Sequence, residues 1–187
     1  MTDSEDQPLP HPVANALDAP GMPMSPSGMA QMMGGTPPDP ALDEKFSCMF
    51  APLGDALGLK GIGVMAMSVE PGKRAFPYHN HHGNDELFVI LSGTGTYRFG
   101  DQEHPIKPGD LCAAPKGGHE TAHQIINTGT QTLRYVSIST KQDPDVFEYP
   151  DSGKFGLLAV VEGRDFMSAH LRYMGRAEDS LDYWDGE

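Results

Sequence analysis

Residues 72–93 read Gly72-Lys-Arg-Ala-Phe-Pro-Tyr-His79-Asn-His81-His82-Gly-Asn-Asp-Glu86-Leu-Phe-Val-Ile-Leu-Ser-Gly93. A His-x-His pair is followed five residues later by a carboxylate, and seven residues after that by a glycine. In an extended segment, side chains at i and i+2 lie on one face, about 6–7 Å apart along the backbone. The rings of His79 and His81 therefore point the same way and can converge on one ion. His82-Gly83-Asn84-Asp85 is turn chemistry, expected to bring Glu86 back on the next strand beside the pair.

Downstream, Gly109-Asp110-Leu-Cys-Ala-Ala-Pro115-Lys-Gly117 is followed by His123-Gln-Ile-Ile-Asn127. Together the two stretches resemble the paired signatures of the cupin superfamily. The first signature is a Gly, a His-x-His, a Glu and a Gly; the second is a Gly, a Pro-x-Gly, a His and an Asn. The resemblance spans residues 60–140. It implies an all-β fold, the cupin double-stranded β-helix or jelly-roll barrel, and one divalent metal ion bound inside it. Carried over by position, the implied metal ligands are His79, His81, Glu86 and His123. The second signature departs from the family pattern, because Gly118-His119-Glu120-Thr121-Ala122 separate Gly117 from His123 where two residues are usual. His123 keeps the three-residue gap to Asn127, whereas His119 stays close to Pro115-Lys-Gly117. His119, Thr121 and His123 share strand parity, so a regular strand aims all three at one face. His123 is the preferred fourth ligand. His119 is the alternative, and otherwise lines the cavity or its mouth.

The rest of the chain is read around this centre. Residues 1–40 hold nine of the seventeen prolines and six of the eleven methionines, with no strand or helix period. Proline removes backbone donors and blocks regular structure, so a flexible, disordered tail is expected there. Residues 41–165 are expected to form the barrel, with the two motifs at 72–93 and 109–127. Residues 43–59 hold one short helix or a leading strand. Short apolar runs punctuated by Gly and Pro then predict strands at 62–69, 75–81, 86–91, 96–99, 103–107, 110–114, 119–126 and 132–140, the pattern of a sandwich or barrel. Residues 143–153 read as a long loop and 155–161 as one more strand. Residues 166–187 read as a C-terminal extension that packs on the barrel or on a partner. Its first part, 166–175, carries Met167, Leu171 and Met174 at helical spacing. The loop Tyr149-Pro-Asp-Ser-Gly and the ending Tyr183-Trp-Asp-Gly-Glu resemble a group of bacterial single-domain cupins.

Composition narrows the function classes. The 187 residues suffice for one domain and a tail. A formal net charge of −13 opposes nucleic acid or an anionic membrane surface as partner. Cys48 and Cys112 are too isolated for a disulfide framework or a thiolate zinc site. No stretch reaches the length of an apolar membrane span and no signal-peptide pattern opens the sequence, so a cytoplasmic protein is expected.

Three imidazoles and one carboxylate suit a divalent transition metal (Fe, Mn, Zn, Ni or Co) better than Ca or Mg. Such a set leaves coordination positions open, where a small-molecule substrate or O₂ binds. The expected function is a metal-dependent enzyme of oxygenase type, such as a dioxygenase, acting on a small organic molecule. The alternatives are a non-catalytic small-ligand binding module, or a cupin isomerase, decarboxylase or lyase. His82 and His119 are candidates for groups that assist at the ion, and Tyr78, Tyr97 and Tyr135 for contacts inside the barrel. Arg98 and Arg134 are candidate clamps for a substrate carboxylate, and parity with Tyr97 and Phe99 places Arg98 outside. Leu87, Val89 and Leu91 alternate with Phe88 and Ile90, so both faces of that strand are apolar, as in a homodimer.

Overall fold

The computed structural model describes residues 10–32, 34–159 and 169–187. Thirteen strands are present among them. They are β1 (Met22–Met24), β2 (Cys48–Pro52), β3 (Ile62–Val69), β4 (Asn80–His81), β5 (Glu86–Ser92), β6 (Gly95–Phe99) and β7 (Gln102–Ile106). The chain continues with β8 (Leu111–Ala114), β9 (His123–Ile126), β10 (Leu133–Thr140), β11 (Asp145–Tyr149), β12 (Lys154–Ala159) and β13 (Leu171–Gly175). Short helices α1 (Pro26–Met32), α2 (Ala41–Lys45) and α3 (Leu53–Ala56) lie before β3.

The strands form a six-stranded sheet in the order β1-β2-β3-β10-β5-β8, a four-stranded sheet β13-β12-β11-β4 and a three-stranded sheet β7-β6-β9. Every named pairing is antiparallel. Residues 74–81 tie the two smaller sheets together. Arg74 bridges Ile126 and His79 bridges His123 on one side, while Asn80 and His81 pair with Glu148 and Phe147 on the other. The result is two facing layers, the jelly roll expected from the motifs.

Alternation explains what lies between the layers. On β5, Phe88 and Ile90 are buried, as are Cys112 and Ala114 on β8, Met67 and Val69 on β3, and Leu133 and Tyr135 on β10. They meet Tyr97 of β6, Ile106 of β7 and Ile125 of β9 in one hydrophobic cluster. Burying these side chains contributes roughly 1.5–3 kcal/mol each before the entropy of ordering is set against it. Tyr97 is inside while Arg98 points away and pairs with Asp151, as parity required. Arg134 is likewise outside, donating to the Leu17 carbonyl.

Several expectations are corrected. Proline density did not keep all of residues 10–40 irregular: β1 adds to the edge of β2, and α1 follows it. Pro23 is tolerated because an edge strand needs hydrogen bonds on one side only. Ala16 and Ala19 then pack against Ala51, Leu53 and Ala66 on the outer side of the large sheet. The segment read as a long loop contains β11, which forms a hairpin with β12. The helical spacing at the C-terminal side gives way to β13, because Leu171–Gly175 finds a full set of backbone partners on β12. Its Phe166 and Met167 portion lies outside the described residues, as do residues 160 and 161 at the end of the expected strand. His119–Thr121 is a 3₁₀ turn rather than the start of β9.

Candidate metal centre

His79 and His81 reach the interior from the strand segment that joins the two smaller sheets. His79 is directly opposite His123, with reciprocal backbone hydrogen bonds of 3.1 and 2.7 Å. Facing residues in such a pair carry their side chains side by side, and the His79 and His123 rings are 4.6 Å apart between centroids. His81, two residues on, places its ring 5.1 Å from that of His79. Glu86 arrives from the opposite layer. It does not lie on the adjacent strand, as the turn chemistry of residues 82–85 had suggested. That turn is a crossover between sheets, pinned by Asn84 Oδ1, which accepts hydrogen bonds from Thr140 Oγ1 and from the Gln142 amide. Glu86 shares its face of β5 with Phe88 and Ile90, so the carboxylate enters from the core side.

Four polar atoms therefore meet. Ligand atoms of His79, His81 and Glu86 all lie within 4.8 Å of one another. Glu86 Oε2 is 3.7 Å from His79 Nε2, 3.6 Å from His81 Nε2 and 2.8 Å from His123 Nε2. For metal–ligand bonds of about 2.1 Å, neighbouring ligand atoms stand about 3.0 to 3.4 Å apart, so His79, His81 and Glu86 are near enough to close on one transition-metal ion, with His123 beside Glu86. The other ring nitrogens are committed. His79 Nδ1 donates to the Pro77 carbonyl at 2.8 Å, His123 Nδ1 to the Thr121 carbonyl at 3.3 Å and His81 Nδ1 to Asp145 Oδ2 at 2.7 Å. Carbonyls and carboxylates accept only, so each of these Nδ1 atoms carries a proton, and neutral His79 and His81 present the Nε2 lone pair to the centre; His123 Nε2 donates to Glu86 Oε2 at 2.8 Å, and an ion there would take the place of that proton.

The electrostatics agree with a cation-binding role. Burial, aided by the neighbouring histidines, pushes His79 down to about 4, so it is neutral at physiological pH. Burial opposes the charge on Glu86, but the His123 hydrogen bond and the surrounding imidazoles outweigh it and hold the carboxyl at about 2. Burial also works against His81, yet its hydrogen bond to Asp145 and the charges of Glu86 and Asp145 leave it raised.

His119 stands apart, with a side chain 69% exposed and its Nε2 3.6 Å from Glu148 Oε2. The 3₁₀ turn removes the strand parity that had aligned it with His123. His82 Nε2 lies 3.1 Å from the same Glu148 oxygen. Both therefore sit on the face of β11 opposite Asp145, Phe147 and Tyr149. The hydroxyls of Tyr78 and Tyr97 are spent on the Gly100 and Ala113 carbonyls, and both side chains are buried. Three contributors were not assigned to the site from the sequence. Asp145 holds His81, the Phe147 ring lies 5.9 Å from His81, and the Tyr149 ring stacks 6.1 Å from His79. The alternation Asp145-Val-Phe-Glu-Tyr149 between Pro144 and Pro150 is a strand signal that would have placed them on one face.

Comparison with known proteins agrees with this architecture. The cupin domain family matches residues 65–139. A putative sugar phosphate isomerase from Acidithiobacillus ferrooxidans is 32% identical with a TM-score of 0.62, covering 73% of this chain and 80% of that one. A sugar phosphate isomerase of the cupin superfamily from Silicibacter pomeroyi is 26% identical with a TM-score of 0.60, covering 74% and 81%. The oxalate-binding protein of Thermotoga maritima is 33% identical over 72 residues, 38% of this chain and 56% of that protein. The chain spans about half the length of the curated relatives it matches. The chain belongs to the cupin superfamily.

Proposed function

We propose that this cupin is a metal-dependent enzyme acting on a small organic molecule, with His79, His81, Glu86 and His123 as the ligands of one divalent transition metal (Fe, Mn, Zn or Ni). The observation that carries the reading is the convergence of the three Nε2 atoms on Glu86 Oε2, with every Nδ1 already committed. A divalent ion there supplies Lewis-acid polarisation of a substrate oxygen and, for a redox-active metal, access to O₂ chemistry. Glu86 is anionic and His79 neutral at physiological pH, so the ligand set offsets only part of the ion's charge. The centre accordingly favours an anionic or chelating oxygen ligand. Phe147 and Tyr149 flank the histidines with apolar surface and help to keep water from that side.

An oxygenase-type reaction is the leading assignment, because a nitrogen-rich set with open positions suits Fe or Mn. A second reading, aldose–ketose isomerisation of a sugar phosphate or simple holding of a small dicarboxylate, is favoured by the similarity to proteins described by those ligands. We further propose a cytoplasmic homodimer. Cys48 and Cys112 are free and buried. Leu111, 66% exposed, pairs in register with Val89 on the outer side of the large sheet, where a second copy would cover both.

The test is metal analysis of the purified protein, followed by assays on the loaded form. One equivalent of metal is expected, and His81→Ala should lose it; retention at full stoichiometry would discredit the shell. Metal-dependent O₂ uptake with a catechol, thiol or keto acid supports the oxygenase reading. Interconversion of an aldose and a ketose phosphate without O₂ supports the isomerase. Oxalate binding without turnover of any candidate supports the binding module.

A further inference from the structure

Two of the three site histidines are oriented by their own strands, since His79 and His123 each donate to the carbonyl of the residue two positions before. His81 is oriented from 64 residues away, by Asp145 at the start of β11. The β11–β4 register sets Phe147 opposite His81 and Glu148 opposite Asn80, and the His82 amide donates to the Val146 carbonyl at 2.8 Å. Asp145 shares a face with Phe147. Its carboxylate therefore reaches diagonally across the strand pair to the far side of the His81 ring.

The placement is unfavourable for folding alone. The Asp145 side chain is only 14% exposed, and its Oδ1 is buried without a hydrogen-bond partner among the described residues. A buried carboxylate with one oxygen unpaired costs stability that an apolar residue at the same position would not. What the carboxylate supplies in return is a short, charge-assisted acceptor for one imidazole.

We propose that Asp145 is the positioning residue of the metal centre, holding His81 in the tautomer and orientation that present Nε2 to the ion and making that nitrogen a stronger donor. This role rests on the metal reading above. Partners of this kind behind a ligand histidine are worth about 10–100-fold in metal affinity. Asp145 also explains why β11 belongs to the site and not merely to the wall around it.

The experiment combines Zn²⁺ titration against a competing chelator with ¹⁵N NMR of the imidazoles in the metal-free protein, at a pH high enough to leave His81 neutral. In the native protein His81 should carry its proton on Nδ1. Asp145→Ala should bind Zn²⁺ about 10–100-fold more weakly and lose the Nδ1–H preference. Asp145→Asn, which keeps an acceptor oxygen but not the charge, should restore the tautomer and part of the affinity. Native Zn²⁺ affinity in Asp145→Ala, alongside metal loss in His81→Ala, overturns the role of Asp145 and leaves the metal centre standing. Absence of Zn²⁺ binding by the native protein overturns both. A native spectrum with the His81 proton on Nε2 overturns the proposal even where Asp145→Ala fails to fold.

Discussion

Glu86 is the carboxylate on which three imidazole nitrogens converge, and its charge couples the site to the stability of the fold. In the folded protein it titrates at about 2, against an ordinary value of 4.5. As pH falls through that window the unfolded chain takes up the proton first, so protonation favours unfolding. His79, at about 4 against 6.5, acts with the same sign one window higher. His81, raised by Asp145, acts with the opposite sign above 6.5. The thermal midpoint of the metal-free protein should therefore fall as pH is lowered from 6.5 towards 2. Glu86→Gln should flatten the part below 4.5 relative to the native protein; identical profiles would contradict the coupling. At this scale the sequence was legible where the clustered side chains are close in sequence. The i, i+2 spacing of His79 and His81 and the offset to Glu86 carry the site's identity. Asp145 was not legible as a partner of His81, because antiparallel pairing across 64 residues leaves no trace in local spacing.

β11 is the element on which the site leans. Its inner face places Asp145, Phe147 and Tyr149 against the histidines, and its outer face places Glu148 against His82, His119 and Asn80. Arg98 fastens the far end, with two hydrogen bonds to Asp151 at 2.8 and 2.9 Å while its guanidinium lies 3.5 Å from the Tyr78 ring centre. Gly156 of β12 is opposite Phe147, and a Cβ there would run into the Phe147 ring. Gly156→Ala should displace that ring, destabilise the protein by about 1–3 kcal/mol and weaken Zn²⁺ binding in parallel. Thermal melts and chelator competition check both. A melt and an affinity equal to the native protein's would mean that β11 is not held as described. The strands of the barrel were legible because they alternate between turn glycines. β11 was read as loop because its flanking prolines outweighed a five-residue alternation. β13 did not stand out, because Leu171 and Met174 fit a helical stripe as well as a strand edge.

At the scale of the whole molecule, the two layers have different duties. The six-stranded sheet supplies most of the core and one of the proposed ligands, Glu86; the opposing layer supplies the histidines. The outer side of the large sheet is partly covered by the chain itself, through Ala16, Ala19 and Leu57. Val89 and Leu111 lie on the part that we assign to a second copy. Light scattering should give a dimer, and Leu111→Lys should shift it to monomer with the metal content unchanged; a native monomer would contradict that assignment. The jelly roll itself was legible from the two motifs, since they mark its strands and its turns. The docking of residues 10–32 was not, because an edge strand containing proline has no distinctive pattern before its partner is known.

X-ray absorption of the metal-loaded protein tests the central claim most directly. A shell of three imidazole nitrogens and one carboxylate oxygen at about 2.1 Å is expected, with one imidazole lost in His123→Ala and unchanged in His119→Ala. A loaded protein whose shell lacks histidine, or which loses an imidazole with His119 and not with His123, would contradict it.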